Sequence, residues 1–268
     1  MKDAVERVID KIIRASSSKG NGFGIMSKLD AIDSITNGFK PGLVYVVAAE
    51  AGAYKTALCL TILEKIGIES EASVAYFNKF STEDMLVTRM IFQFADVDYV
   101  HYIENNIENH DILALKRAGD AIATSKIKMF CSKNVSLDDI YDTCAEADRP
   151  DIIIVDSLND VSLERGLEFT LQFLKSTAIE CEIPIIVTYE VPLKNINKTA
   201  LLENGADTIF YLDNEVWEDV FGTDYFGDPI MLSYIELHVV RNFCGPTRKS
   251  RLFVKKNSLK FYNYDISI

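Results

Sequence analysis

The chain has 268 residues, 48% hydrophobic and 25% charged, with 28 Lys and Arg against 40 Asp and Glu for a formal net charge of -12. That length holds one large α/β domain or two small ones. The acidic balance argues against a broad phosphate-binding surface, which needs clustered Lys and Arg, and leaves room only for a local basic patch.

No apolar run reaches the length of a membrane span, and the first residues, MKDAVERVID, do not read as a secretion signal. A cytoplasmic protein with no membrane partner is expected. Cys59, Cys131, Cys144, Cys181 and Cys244 are scattered and form no Cys-x-x-Cys pair. They are expected to be reduced, mostly buried thiols. His101, His110 and His238 lie far apart, a spacing that points to neither a metal cluster nor a triad.

In chain order, AVERVIDKII (4–13) puts Val5, Val8, Ile9, Ile12 and Ile13 on one helical face. SSSKGNG follows as a flexible tether. The apolar face of so short a helix packs either on its own domain or on a neighbouring subunit. Residues 1–22 are therefore set apart as a helix and tether, and 23–268 as one domain.

LVYVVAA (43–49) is a β-rich run, and TALCLTILEKIGI (56–68) a helix. SVAYF (73–77) is a second strand, with a helix from about Ser81 whose first turn is acidic. IKMFC (127–131) is predicted as a strand, 135–147 as a helix, DIIIVD (151–156) as a buried strand, 167–182 as a helix and 183–190 as a strand. DTIFYL (207–212), SYIELHVVR (233–241), SRLFVKK (250–256) and LKFYNY (259–264) read as further strands. EVWEDVFGTDYFGDP (215–229) reads as an acidic loop packed by its aromatics, with a partner-binding surface on Trp217, Phe221, Tyr225 and Phe226 as the alternative. Alternating β and α followed by mostly β predicts an α/β fold: a largely parallel sheet flanked by helices, with antiparallel C-terminal strands.

Between the first strand and helix lies AEAGAYKT (49–56). Such a loop holds phosphate because successive backbone N–H groups at a helix N-terminus point at the anion. Glycine before the Lys lets the backbone approach, the Lys adds charge, and the Thr and an Asp at a neighbouring strand end hold magnesium. Lys55, Thr56 and Asp156 fit this pattern, while Ala49 and Tyr54 stand where the two glycines belong. A ring at position 54 is expected to fill the phosphate pocket, the alternative being that it points away. Lys55 then either meets phosphate or pairs with Asp156 or another acid.

Five ordered segments give a specific resemblance to the RecA-like ATPase domain of the DnaB family of replicative helicases. They are GIMSKLDAIDSITNGFKPG (24–42), AAEAGAYKTALCL (48–60), LKSTAIECEIPII (174–186), ENGADTIFYL (203–212) and RNFCGPT (241–247). The resemblance runs from about residue 24 to the end. It implies a nucleotide site at Gly52, Ala53, Tyr54, Lys55, Thr56, Asp156, Glu190 and Arg241, with Thr56 and Asp156 on the metal if Mg-ATP binds.

The same resemblance implies lost chemistry. An ungapped match of FNKFSTEDMLVTRM (77–90) puts Phe80 where the family has the general-base Glu. Glu83 lies three residues on, inside the next helix. Glu190 replaces the Gln that senses the γ-phosphate, Arg241 replaces a Lys, and Phe243 replaces the trans-acting Arg. The DNA-contacting loops look short, and VPLKNINKTA (191–200) keeps two lysines as the remaining hint of a nucleic-acid contact. An N-terminal domain of the replicative type is not expected.

The expectation is a catalytically degenerate relative with no catalytic residue and no cofactor assigned. It would act in DNA replication through a protein partner, either itself or a replicative helicase ring. Two alternatives stay open: an active ATPase and translocase with Glu83 or Glu190 as base, and a protein that binds nucleotide without hydrolysing it.

Overall fold

Six strands form the parallel part of one sheet, and the apolar runs of the inner five bury both faces, while the edge strand at 127–131 is only partly covered. In the computed structural model, β1 (Val44–Ala49) is buried along its whole length. Val44, Val46 and Ala48 enter the core on one face, and Tyr45, Val47 and Ala49 the core on the other. The structure describes residues 24–163, 165–196, 205–223, 229–243 and 245–263, together with Met1, Val5, Glu6, Ile9 and Ile13.

The elements follow in chain order as α1 (Asp30–Thr36), β1, α2 (Lys55–Gly67), β2 (Val74–Asn78), α3 (Glu83–Ala95), α4 (Tyr99–Ile103), α5 (Asn109–Ala123) and β3 (Ile127–Cys131). Next come α6 (Leu137–Ala145), β4 (Ile152–Asp156), α7 (Leu158–Val161), α8 (Leu167–Cys181), β5 (Ile185–Glu190) and α9 (Leu193–Ile196). The last are β6 (Thr208–Leu212), β7 (Trp217–Thr223), β8 (Pro229–Asn242), β9 (Lys249–Lys255) and β10 (Lys260–Tyr262).

The sheet order is β10-β9-β8-β6-β1-β5-β4-β2-β3, with β7 also paired to β8. Strands β6 to β3 along that path run parallel, and β7 to β10 pair antiparallel, as the sequence predicts. The segment after Glu215 is a correction. It is no loop, because Trp217–Thr223 pairs with β8 as an edge strand. Its acids and aromatics masked an alternation that only β8 completes. Tyr225 and Phe226 lie outside the described residues.

The predicted N-terminal helix and tether fall largely outside the described residues. Val5, Glu6, Ile9 and Ile13 are helical, and the three apolar side chains are 49%, 48% and 55% exposed. Among the described residues no helix is long and apolar enough to cross a membrane. Cys59, Cys144 and Cys181 are buried free thiols, Cys131 is partly buried, and Cys244 lies outside the described residues.

Two features position the site. Gly24 and Gly38 meet across the Ile25–Phe39 bridge, where a Cβ on either would come within 2.6 to 2.7 Å of the other's backbone. That contact explains why the 24–42 segment carries glycine at both places. Buried Gln93 on α3 donates to the Ala57 carbonyl (2.8 Å), Thr61 Oγ1 (2.8 Å) and the Leu259 carbonyl (2.9 Å), tying α2 and the β9–β10 turn to α3. Gln93→Leu leaves those buried acceptors short of a donor. It is expected to lower stability by about 2 kcal/mol, read from the urea midpoint at unchanged m-value.

Candidate functional site

The site forms where the C-terminal ends of β1, β2, β4 and β5 meet the N-terminus of α2, at the edge where open parallel sheets place their ligands. A cleft of about 370 Å³ opens there, walled by Gly52, Tyr54, Lys55, Thr56, Asp156 and Glu190 among others. The structure thus brings together all the predicted loop and strand-end residues except Arg241.

Tyr54 is the N-cap of α2 with φ 50° and ψ 10°, a left-handed conformation suited to glycine and costing a bulky residue about 1 kcal/mol. Gly52 takes φ 77° two residues earlier. The Tyr54 ring forms part of the cleft wall and packs partly on the apolar core.

Lys55 Nζ donates to the Glu50 carbonyl at 2.7 Å and the Ala49 carbonyl at 3.4 Å, and lies 3.9 Å from Glu190 Oε2. Burial lowers its pKa, while Glu190 and then Asp156 favour the ammonium. Its carboxylate partner is thus Glu190 and not Asp156.

Asp156 instead collects hydroxyls. Thr56 Oγ1 and Tyr76 OH donate to its Oδ2 at 2.7 Å each, and Thr188 Oγ1 donates to Oδ1 at 2.5 Å. Asn78 Nδ2 donates to its carbonyl at 2.6 Å, and a cis peptide joins it to Ser157. Burial, then the Asp156 charge, pushes the Tyr76 phenol well above its ordinary pKa, so it remains a donor. Hydroxyl and carboxylate side by side could hold a nucleotide-bound magnesium, Thr56 as a ligand and Asp156 as its support.

Glu190 is held by Asn159, which donates to its carbonyl and accepts from its N–H. Asp160 accepts from the Ser157 hydroxyl at 2.7 Å. Phe80 stands outside the cleft, 67% exposed. Glu83 begins α3 and is also absent from the cleft wall; its charge is felt at Cys131 on β3. Arg241 and Phe243 lie at the opposite sheet edge, since Asn242 pairs with Thr208 at the start of β6 and the Phe243 N–H bonds the Asp207 carbonyl. Phe243 is 70% exposed. Neither position reaches the cleft of its own chain.

Sequence reasoning assigned no role to Arg89, which α3 places on the cleft wall with Leu259. Both also line an adjoining cavity of about 360 Å³ that contains Phe92, Tyr99 and Tyr102. These three rings pack mutually at 5.2 to 5.7 Å. The available signal for Arg89 was a cation on the helix following the second strand, which packs beside α2.

A phosphate loop on a RecA-like sheet, with an Asp-ended strand beside it, defines a P-loop NTPase-type domain. The family model for the DnaB-like helicase C terminal domain matches residues 24–263, and the chain belongs to that family. The replicative DNA helicase DnaC of Bacillus subtilis is 22% identical over 289 residues, covering 99% of this chain and 62% of its own length. The replicative DNA helicase DnaB of Mycoplasma pneumoniae is 24% identical over 275 residues, covering 91% and 57%. The chain thus spans about three fifths of these curated relatives. Among solved structures, one ATPase domain superposes with a TM-score of 0.79 at 18% identity, covering 98% of each chain. A DnaB-like replicative helicase studied with its interactions with primase gives 0.77 at 19%, covering 99% of this chain and 67% of that one. At those identities the likeness shows the fold.

Proposed function

We propose that this chain is a non-hydrolysing DnaB-like domain that acts in DNA replication through protein contacts, with further copies of itself or with a replicative helicase ring. The carrying observation is the state of the cleft's acids. Asp156 accepts three hydroxyls, Asp160 is held by Ser157, and Glu190 faces Lys55. The position that would supply a general base carries Phe80, which cannot take a proton and lies outside the cleft.

Assembly rests on the N-terminal helix. Val5, Ile9 and Ile13 are spaced as one helical row, and their exposure fits docking on another subunit. The acceptor we assign is the exposed apolar surface of α4 and α5, with Val100, Ile103, Ile112 and Leu113. Ile9→Asp and Ile103→Asp are each expected to shift the native assembly to smaller species in mass photometry, alone or mixed with a DnaB-type helicase. An unchanged mass distribution for both variants sinks the docking scheme. The functional readout is duplex unwinding by that helicase, expected to change in rate on addition of the native chain. An unaltered rate, with no mixed assembly, counts against a role through this partner.

A second reading is supported by the aromatic cavity beside the phosphate cleft: nucleotide retained as a structural ligand. Thermal stabilisation by Mg-ADP that grows with ligand concentration supports it, and an unmoved Tm opposes it.

A further inference from the structure

Beyond the phosphate cleft, the fold gathers a second set of polar side chains that their spacing in sequence conceals. Glu236 and His238 are two residues apart on β8, so both project from the same face. Asp213 follows β6 directly, and its N–H donates to the Glu236 carbonyl at 3.0 Å, which sets it opposite Glu236. One donor atom from each of Asp213, Glu236 and His238 lies within 4.8 Å of the other two, all three residues being partly buried. The wide separation of the histidines argued against a metal cluster, and that expectation overlooked the acids that β6 and β8 bring to His238.

We propose that Asp213, Glu236 and His238 form a divalent transition-metal site that takes Zn²⁺. One imidazole and two carboxylates are a borderline donor set, matched to zinc better than to magnesium or calcium, which prefer oxygen alone. Ligand bonds of about 2.0–2.2 Å set tetrahedral donor atoms roughly 3.4 Å apart, and Glu236 Oε2 and His238 Nε2 already lie 3.1 Å apart, so the closing movement falls on Asp213. Three protein ligands leave a fourth position for water.

Glu236 already holds an ammonium at this point. His238 Nε2 lies 3.1 Å from Glu236 Oε2, and Lys249 Nζ lies 2.9 Å from the same oxygen. The Lys249 side chain is 64% exposed, so it can swing into solvent when an ion takes its place. The N–H groups of Asn214 and Glu215 donate to Asp213 Oδ1 at 2.7 and 3.4 Å, which orients that carboxylate. Tyr211 packs edge-on to the His238 ring at 6.5 Å. Asn214 also donates to Glu50 Oε2 at 3.3 Å, so an ion on Asp213 would brace the segment that enters the phosphate loop.

The test uses the tag-free, chelator-stripped full chain and zinc alone, by calorimetry. One equivalent with micromolar or tighter affinity is expected. Asp213→Asn and His238→Ala should each weaken it at least about tenfold. Lys249→Met should tighten it by removing the competing ammonium. Circular dichroism of each variant confirms that it is folded. Cobalt in place of zinc reports the ligands: a weak visible d–d spectrum fits oxygen and nitrogen donors. No stoichiometric heat, affinity unchanged in both ligand variants, or an intense thiolate-to-cobalt band that survives His238→Ala would each overturn the proposal.

Discussion

Asp156→Ala is expected to lower stability by about 3 kcal/mol in the absence of any nucleotide. The carboxylate is the common acceptor for Thr56, Tyr76 and Thr188, which belong to α2, β2 and β5. Tyr76 and Thr188 are fully buried, so losing the acceptor strands two hydroxyls away from water. Each stranded group costs about 1–3 kcal/mol, whereas the partly exposed Thr56 can turn to solvent. Asp156→Asn keeps an acceptor oxygen and is expected to lose about half as much. Urea unfolding at constant m-value checks both. A loss below about 1 kcal/mol for the alanine variant would mean that the hydroxyls find other partners, and that Asp156 does not brace the sheet.

Tyr54→Gly is expected to tighten Mg-ATP binding at least about tenfold, a gain of at least about 1.4 kcal/mol, without producing turnover. The native residue holds a left-handed backbone at the head of α2 and places a ring on the cleft wall. Glycine takes that conformation freely and lets the backbone N–H groups approach the phosphates. Relief of strain is offset by the greater freedom of glycine in the unfolded chain, so stability should move by less than about 1 kcal/mol. Calorimetry on both proteins decides the matter. Equal affinities would show that Tyr54 does not limit access.

Much of the sheet was legible because β1 and β4 are buried on both faces and read as apolar runs, and β5 begins as one. Helix α5 was not read from the sequence; only Asp111 and Ala118 on it are buried, and its apolar row of Ile112, Leu115 and Ile122 is at most partly covered. Strand β7 needed its partner to be seen. Of the cleft, Lys55 and Thr56 stood out because strand–loop–helix order sets them at a helix start, and Asp156 because it ends an apolar strand. The hydroxyls on Asp156 were hidden, because they depend on β4 lying between β2 and β5. Arg89 was hidden for a related reason, since it meets the cleft only through packing of α3. The set of Asp213, Glu236 and His238 likewise exists only once β6 pairs with β8.

Hydrolysis is the activity that decides between a motor and a partner of motors. The direct measurement is steady-state ATP turnover by the purified native chain with magnesium and single-stranded DNA, beside Lys55→Ala. The prediction is that the two proteins give the same background rate, with and without DNA. Turnover that DNA stimulates and Lys55→Ala abolishes would contradict it and make the chain a working motor.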